Sequence, residues 1–156
     1  MTVADTLARD VRPPMLLVAI LNPILRVVLR TPLGRLVRPF ALLEFDGRRS
    51  GRHYRVPVGW HEINSEHVVC TPASWRANFR DGIAVTVTFR AHRQELIGTL
   101  VDDPEFVAGA LQCLTDQRGS LRRIGIDIPP GHRVTAADVR AVDRALIRFT
   151  PNTTHE

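Results

Sequence analysis

Lysine is missing altogether: all 21 basic residues of this 156-residue chain are arginine. That absence excludes chemistry built on a lysine amine, Schiff-base formation and the lysine of a Walker-type phosphate loop among them. Cysteine is nearly absent too. Cys70 and Cys113 are the only two, their spacing fits no metal motif, and reduced, buried thiols are the expected state. Long hydrophobic runs are lacking as well. The apolar stretch from Met15 to Leu21 is broken by Asn22 and Pro23, far short of the ~20 residues of a membrane span. No small-residue cleavage site follows it, so a secretory leader is not expected. A cytoplasmic protein is therefore the expectation. Tyrosine occurs once, at Tyr54, and aromatics make up 6% of the chain.

What the sequence does hold is arginine and aliphatic residues. The formal charge is +5 and the hydrophobic fraction 44%, enough for one continuous core in one domain of ordinary size. Planar guanidinium forks suit bidentate contacts to phosphate and carboxylate. Along the chain, Leu16, Leu17, Ile20, Ile24, Val27 and Val28 recur at helical spacing, which predicts one or two short helices broken at Pro23 and Pro32. The chain is thus read as an N-terminal helical extension, residues 1–38, followed by the main body, residues 39–156, in one structural domain. An apolar, arginine-edged helix can pack on a core or lie on a membrane surface, so peripheral membrane contact stands beside core packing as an expectation.

From Phe40 the period becomes that of strands. Strands are predicted over Phe40 to Phe45, Tyr54 to His61, His67 to Thr71, Ile83 to Phe89 and Glu95 to Val101. Polar turns are expected at Ile63 to Glu66 and around His92 and Arg93, and a short helical turn around Trp75 to Phe79. Asp102-Asp103-Pro104-Glu105 predicts a helix start, with a carboxylate capping free amides and proline where its missing N–H does no harm, and a helix from Pro104 to Thr115. Thr135 with Asp138 matches a capping box. Ala145 to Thr150 reads as a last strand, with a single helix from Val134 to Phe149 as the alternative. The sum is an α+β, mainly β fold: a small closed or half-closed β-barrel of about six antiparallel strands with flanking helices.

The densest cluster of chemistry is Gly47-Arg48-Arg49-Ser50-Gly51-Arg52, between two predicted strands. Glycines there let several amides point at one anion while the arginines supply charge; a solvated basic hairpin is the plain alternative. His53, His61, His67 and His92 are scattered without metal-ligand spacing, so no metal site is expected. Tyr54 and His61 are the weak candidates for a proton donor. Nucleic acid is not an expected partner, because the arginines are spread along the chain with few aromatics between them.

Leu43 to Pro57, with its core Gly-Arg-Arg-Ser-Gly-Arg-His-Tyr-Arg-Val-Pro, resembles the signature hairpin of the deazaflavin-dependent nitroreductase family, split β-barrel proteins abundant in actinobacteria. Ser74-Trp75-Arg76-Ala77-Asn78 is similar to that family's Trp-x-x-Asn segment. The strand pair ending in Asp102-Asp103-Pro104 and the lead-in from Asn22 to Leu33 extend the resemblance over residues 20–105. It implies a deazaflavin, coenzyme F(420), passing hydride to a nitro compound, a quinone or a similar electrophilic acceptor. On this reading Arg48, Arg49, Ser50 and Gly51 contact the phosphate end, with Arg55 as a helper. Pro57, Trp75 and Asn78 stand beside the ring system, where a wall excludes water and an amide bonds ring oxygens.

Two features depart from the family pattern. Thr71-Pro72-Ala73 is short and lacks glycine where the family carries a glycine-rich loop, and the C-terminal third lacks the family's tyrosine-bearing segment. They keep a second reading open: a non-catalytic split-barrel binding protein for another ligand, such as a flavin (flavin mononucleotide first), a haem or a fatty acid. Monomer and homodimer are both compatible with the sequence.

Overall fold

A computed structural model describes residues 8–10 and 40–153 of the chain. The predicted helices between Pro13 and Pro32, and the boundary between extension and barrel, lie outside the described residues.

The strands are β1 (Arg9–Asp10), β2 (Phe40–Asp46), β3 (His53–Gly59), β4 (His61–Ile63), β5 (Glu66–Thr71), β6 (Ile83–Phe89), β7 (His92–Val101), β8 (Ile126–Asp127) and β9 (Ala145–Pro151). Two helices, α1 (Pro104–Arg118) and α2 (Ala136–Val142), and two 3-10 turns, Ser74–Phe79 and Arg122–Ile124, complete the fold. Seven strands form one antiparallel sheet in the order β3-β2-β6-β7-β9-β5-β4. Its two edge strands, β3 and β4, are separated in sequence by Trp60 alone. One bent strand therefore supplies both edges, and the sheet must curl into a half-barrel to let it. This is the half-closed barrel expected from the strand pattern and the split β-barrel that the family resemblance implies.

Alternation also decides what fills the barrel. Ala41, Leu43 and Phe45 of β2, Val58 of β3, Val85 and Val87 of β6, and Ile147 and Phe149 of β9 point inward, closing around Phe79. The opposite face of β4, β5 and β9 presents Ile63, Val68 and Leu146 to Val107, Leu111 and Leu114 of α1 and to Val139 and Val142 of α2. There are thus two apolar layers on the two sides of one sheet, each buried side chain contributing roughly 1.5–3 kcal/mol.

Phe79 is wholly buried, and it reaches the sheet because Gly98 of β7 has no side chain. A Cβ at Gly98 would stand 2.6 Å from the Phe79 ring and 3.3 Å from Ile147. Gly109 of α1 is the opposite case: no described residue lies within 4 Å of the place its Cβ would take.

Several expectations are refined. The strand predicted from Tyr54 to His61 is broken at Trp60, so that His61 opens β4. The turn expected at His92 and Arg93 is instead Arg90-Ala91, both at positive φ (53° and 62°), while His92 and Arg93 begin β7. Polarity located the hairpin but not its tip, because the two-residue turn is set by strand register and accepts non-glycine residues in left-handed backbone at some cost. Asn64 and Ser65, at φ 51° and 65°, form the other such hairpin. Helix α1 runs to Arg118 and stops on left-handed Gly119. Asp103 occupies its N-cap without the expected side-chain bond; its backbone carbonyl accepts from Val107 instead.

The capping box is present. Thr135 Oγ1 accepts from the Asp138 amide at 3.2 Å, and Asp138 accepts from the Thr135 amide at 2.9 Å. Burial of Asp138 opposes its ionisation, yet bonds from His132, Thr135 and Ala8 hold its carboxyl below the usual range. After α2 the chain reverses at Asp143 (φ 49°) and returns as β9, which excludes one long helix from Val134 to Phe149. Buried Arg144 donates to the carbonyls of Val142, Ile124 and Gly125 and to Asp10, tying β1 to this end of the molecule. Both cysteines are free thiols, and burial in β5 pushes that of Cys70 up to about 12.

His61 is 3% exposed on the helix-facing side of the sheet, and neither ring nitrogen has a hydrogen-bond partner. Burial, and next the charge of Arg118, lower its pKa from 6.5 to about 4. The unfolded chain therefore binds a proton between those values that the folded one rejects. Stability is complete above about pH 6.5 and falls by up to about 1.4 kcal/mol per pH unit down to pH 4. Urea unfolding of the native chain and of His61→Leu across that range is expected to show a shallower slope in the variant. The two glycines give a second expectation. Gly98→Ala costs about 1–3 kcal/mol by driving into Phe79, whereas Gly109→Ala raises stability by about 0.5–1 kcal/mol through helix propensity. Equilibrium unfolding of both variants, with equal signs, would contradict this packing.

Candidate anion-binding cleft

The arginine turn connects β2 to β3 and is closed by its own backbone. The Gly47 amide donates to the Arg52 carbonyl at 2.8 Å and the Gly51 amide to the Gly47 carbonyl at 3.0 Å. Gly51 sits at φ 66°, a conformation that glycine adopts without strain. Ser50 Oγ accepts from the Arg52 amide at 3.2 Å.

A second segment holds this turn in place. Asn78, from the 3-10 turn Ser74–Phe79, accepts the Arg48 amide on Oδ1 at 2.9 Å and donates through Nδ2 to the Trp75 carbonyl at 2.8 Å. Asp81 then takes the Arg48 guanidinium at 2.8 Å. The two segments enclose an open cleft of about 740 Å³, lined by Arg48, Arg49 and Ser50 on one side and by Ala77, Asn78 and Arg80 on the other, with Tyr54 between them. Tyr54 stacks on Phe45 with ring centroids 5.0 Å apart and planes 7° from parallel. The Arg52 guanidinium stands 5.5 Å from the Tyr54 ring centre.

Four of the eight predicted cofactor-binding residues line the cleft: Arg48, Arg49, Ser50 and Asn78. Gly51 shapes the turn. Trp75 lies one layer below, its ring 5.7 Å from that of Phe45. Arg55 and Pro57 fall on the other side of the sheet, because residues along a strand alternate and Tyr54 faces inward. Arg55 pairs there with Glu44 at 3.5 Å, and Pro57 lies opposite Leu42. Of the two proton-donor candidates, Tyr54 is in the cleft wall and His61 is not among its residues.

The charge balance differs from that expected of the motif. Arg48 is neutralised by Asp81 and Arg55 by Glu44. Arg49, Arg52 and Arg80 have no carboxylate partner among the described residues, so the uncompensated charge of this corner belongs to them. Arg80 escapes a sequence reading. It follows the Trp-x-x-Asn segment, and only the closing of the 3-10 turn brings it opposite Ser50. Arg76, two residues before Asn78, is bound instead to Asp143 at 2.8 Å. The spacing of two arginines four apart around Asn78 was the available signal, and it does not say which one faces the cleft.

Chemically, the cleft offers guanidinium groups, one serine hydroxyl and one aromatic wall. No carboxylate and no histidine lines it, and elsewhere among the described residues no three His, Cys, Asp or Glu side chains come together. No helix among the described residues is long and apolar enough to cross a membrane.

Neither the family models nor the curated proteins compared with the chain give a match. Solved structures do. HutZ, the heme storage protein from Vibrio cholerae, aligns over 77% of this chain and 86% of its own with 14% identity and a TM-score of 0.47. The FAD and heme binding protein from Mycobacterium smegmatis aligns over 81% of this chain and 64% of its own with 17% identity and a TM-score of 0.42.

Proposed function

We propose that this protein binds a phosphate-bearing, flavin-type small molecule in the cleft between the arginine turn and the 3-10 turn. One observation carries the reading: two guanidinium groups without a counter-ion among the described residues, Arg49 and Arg80, line the cleft beside the Ser50 hydroxyl and Tyr54, and a third, Arg52, stands outside the lining over the Tyr54 ring. Guanidinium forks match a phosphate dianion in charge and in geometry. Tyr54 offers a planar ligand its edge, since Phe45 stacks on one face of it and the Arg52 guanidinium stands over the ring. A fatty acid fits less well, because Tyr54 and Ala77 are the only apolar lining and an aliphatic chain needs a slot.

The donor set fits the phosphate end of such a cofactor through Arg49, Arg80 and Ser50. The ring end is less well provided than the resemblance implies, since both ends of the Asn78 amide are already engaged by Arg48 and Trp75. Asn78 is thus a positioning residue that keeps the two walls together. When bound, a flavin or a deazaflavin supplies hydride chemistry of its own. The chain's part is to hold the phosphate and to border the ring with the edge of Tyr54.

Deazaflavin-dependent reduction of a nitro compound or quinone is the finer version of this reading, favoured by the Gly47 to Pro57 hairpin sequence. Binding without turnover is the coarser one, favoured by a cleft with no acid or base other than the Tyr54 hydroxyl.

Fluorescence titration with coenzyme F(420), flavin mononucleotide and riboflavin tests the site. Either phosphate-bearing ligand is expected to bind more tightly than riboflavin, with affinity falling as salt rises. Arg49→Ala and Arg80→Ala should each weaken binding by about tenfold or more, a charge-assisted bond contributing about 1.5–3 kcal/mol, and Arg52→Ala, outside the lining, by less. Asp81→Asn should tighten it a few-fold, because it frees the Arg48 guanidinium from an exposed pair holding at most about 1 kcal/mol. Equal affinity for riboflavin and flavin mononucleotide, or no loss in all three arginine variants, would sink the assignment.

A further inference from the structure

A second concavity lies on the far side of the sheet, between α1 and the outer face of β4, β5 and β9. Its volume is about 410 Å³, within the range of small-molecule sites. Ile63, Val68 and Leu146 make its floor, and a stripe of α1 one turn apart, Phe106, Ala110 and Cys113, makes its wall. Phe106 is 47% exposed, the one large hydrophobic residue left open among the described residues.

Gly109 borders this space. It faces the groove from the middle of a 15-residue helix, where glycine weakens the helix relative to alanine. Usually such a glycine is required by a close neighbour or by left-handed backbone. Neither holds here among the described residues, none of which places an atom within 4 Å of its missing Cβ. Any larger residue would fill the groove and strengthen the helix. The fold thus forgoes helix stability at the one position that keeps an apolar slot open.

The mouth of the slot carries charge. Arg148 and Glu66 pair at 2.7 Å and cancel, with the Arg148 guanidinium 5.9 Å from the Phe106 ring centre. Glu105 also lines the mouth and has no ion partner among the described residues. In a chain of net charge +5, the surplus at this rim is negative. We propose that the groove is a second ligand site, independent of the arginine cleft, and that its occupant is a hydrophobic amine: an apolar body lying over Gly109 with a protonated nitrogen at Glu105.

Three probes of one chain length separate the contributions: octylammonium, octanol and octanoate. The readout is alkylation of Cys113 by iodoacetamide, followed by mass spectrometry. Cys113 lines this groove, and peptide mass spectrometry reads it apart from the only other cysteine, Cys70, a partly buried thiol of β5 pushed up to about 12. Octanoate drawn to the arginine cleft leaves the rate unchanged. Octylammonium is expected to protect Cys113 at a concentration up to about fivefold below that needed for octanol, the scale of one exposed charge pair, with octanoate weakest. Glu105→Gln should bring amine and alcohol together. Gly109→Leu should abolish protection while raising the unfolding midpoint. The proposal falls if none of the three probes protects, if octanoate protects as well as octylammonium, or if Gly109→Leu protects like the native chain. Should Gly109→Leu fail to fold, the probe series on the native chain and on Glu105→Gln decides alone.

Discussion

The contact between Phe79 and the bare backbone of Gly98 governs the cleft end of the molecule. A side chain at Gly98 would collide with the ring at 2.6 Å; without one, Phe79 seals the interior and anchors the 3-10 turn Ser74–Phe79 on the sheet. Everything at the cleft hangs from that turn. Asn78 precedes the anchored ring by one residue, Arg80 follows it by one, and Asp81 by two. A 3-10 turn is weakly held by its own hydrogen bonds, so its precision derives from the buried ring rather than from local propensity. The arginine turn is then fixed through the Arg48 amide on Asn78. A large apolar side chain in the core thus positions polar groups at the surface.

The same sheet serves two kinds of packing. Its concave face is filled by its own side chains and leaves room for a ligand only at the mouth, beside Tyr54. Its convex face is covered by α1 and α2, and there the helix supplies the shape. Because successive strand residues face opposite ways, neighbours in sequence serve different layers. Tyr54 walls the cleft while Arg55 pairs with Glu44 behind it, and Trp60 fills the barrel while His61 is stranded beneath the helices. The orphaned nitrogens of His61 follow from this geometry: the side chain is placed by strand register in an apolar layer that has no acceptor for it, so it stays neutral and its pKa drops to about 4.

Charge in this protein is spent unevenly. Of the arginines around the turn, Arg48 and Arg55 meet carboxylates at Asp81 and Glu44, and Arg76 meets Asp143. Arg49, Arg52 and Arg80 do not. A run of arginines in sequence is therefore not a run of available charge, since each one's worth to a ligand depends on the acidic residue that folding places beside it. The groove on α1 shows the reverse, an acidic rim on a basic protein, and again the balance is local.

Most of the strands, helix α1 and the capping box at Thr135 and Asp138 could be read from the sequence, because each rests on short-range physics: period-two alternation, a proline at a helix start, a hydroxyl three residues from a carboxylate. The glycine–arginine turn was legible for the same reason. What the sequence could not disclose depended on residues far apart in the chain. That Trp60 breaks one strand into both edges of the sheet, that Arg55 and Pro57 face away from Arg49, that Arg80 joins the cleft while Arg76 leaves it, and that Gly98 and Gly109 serve opposite purposes were decided by tertiary packing alone. Composition and spacing determined which groups this protein has to offer; the curl of the sheet and the ring of Phe79 decided which of them meet.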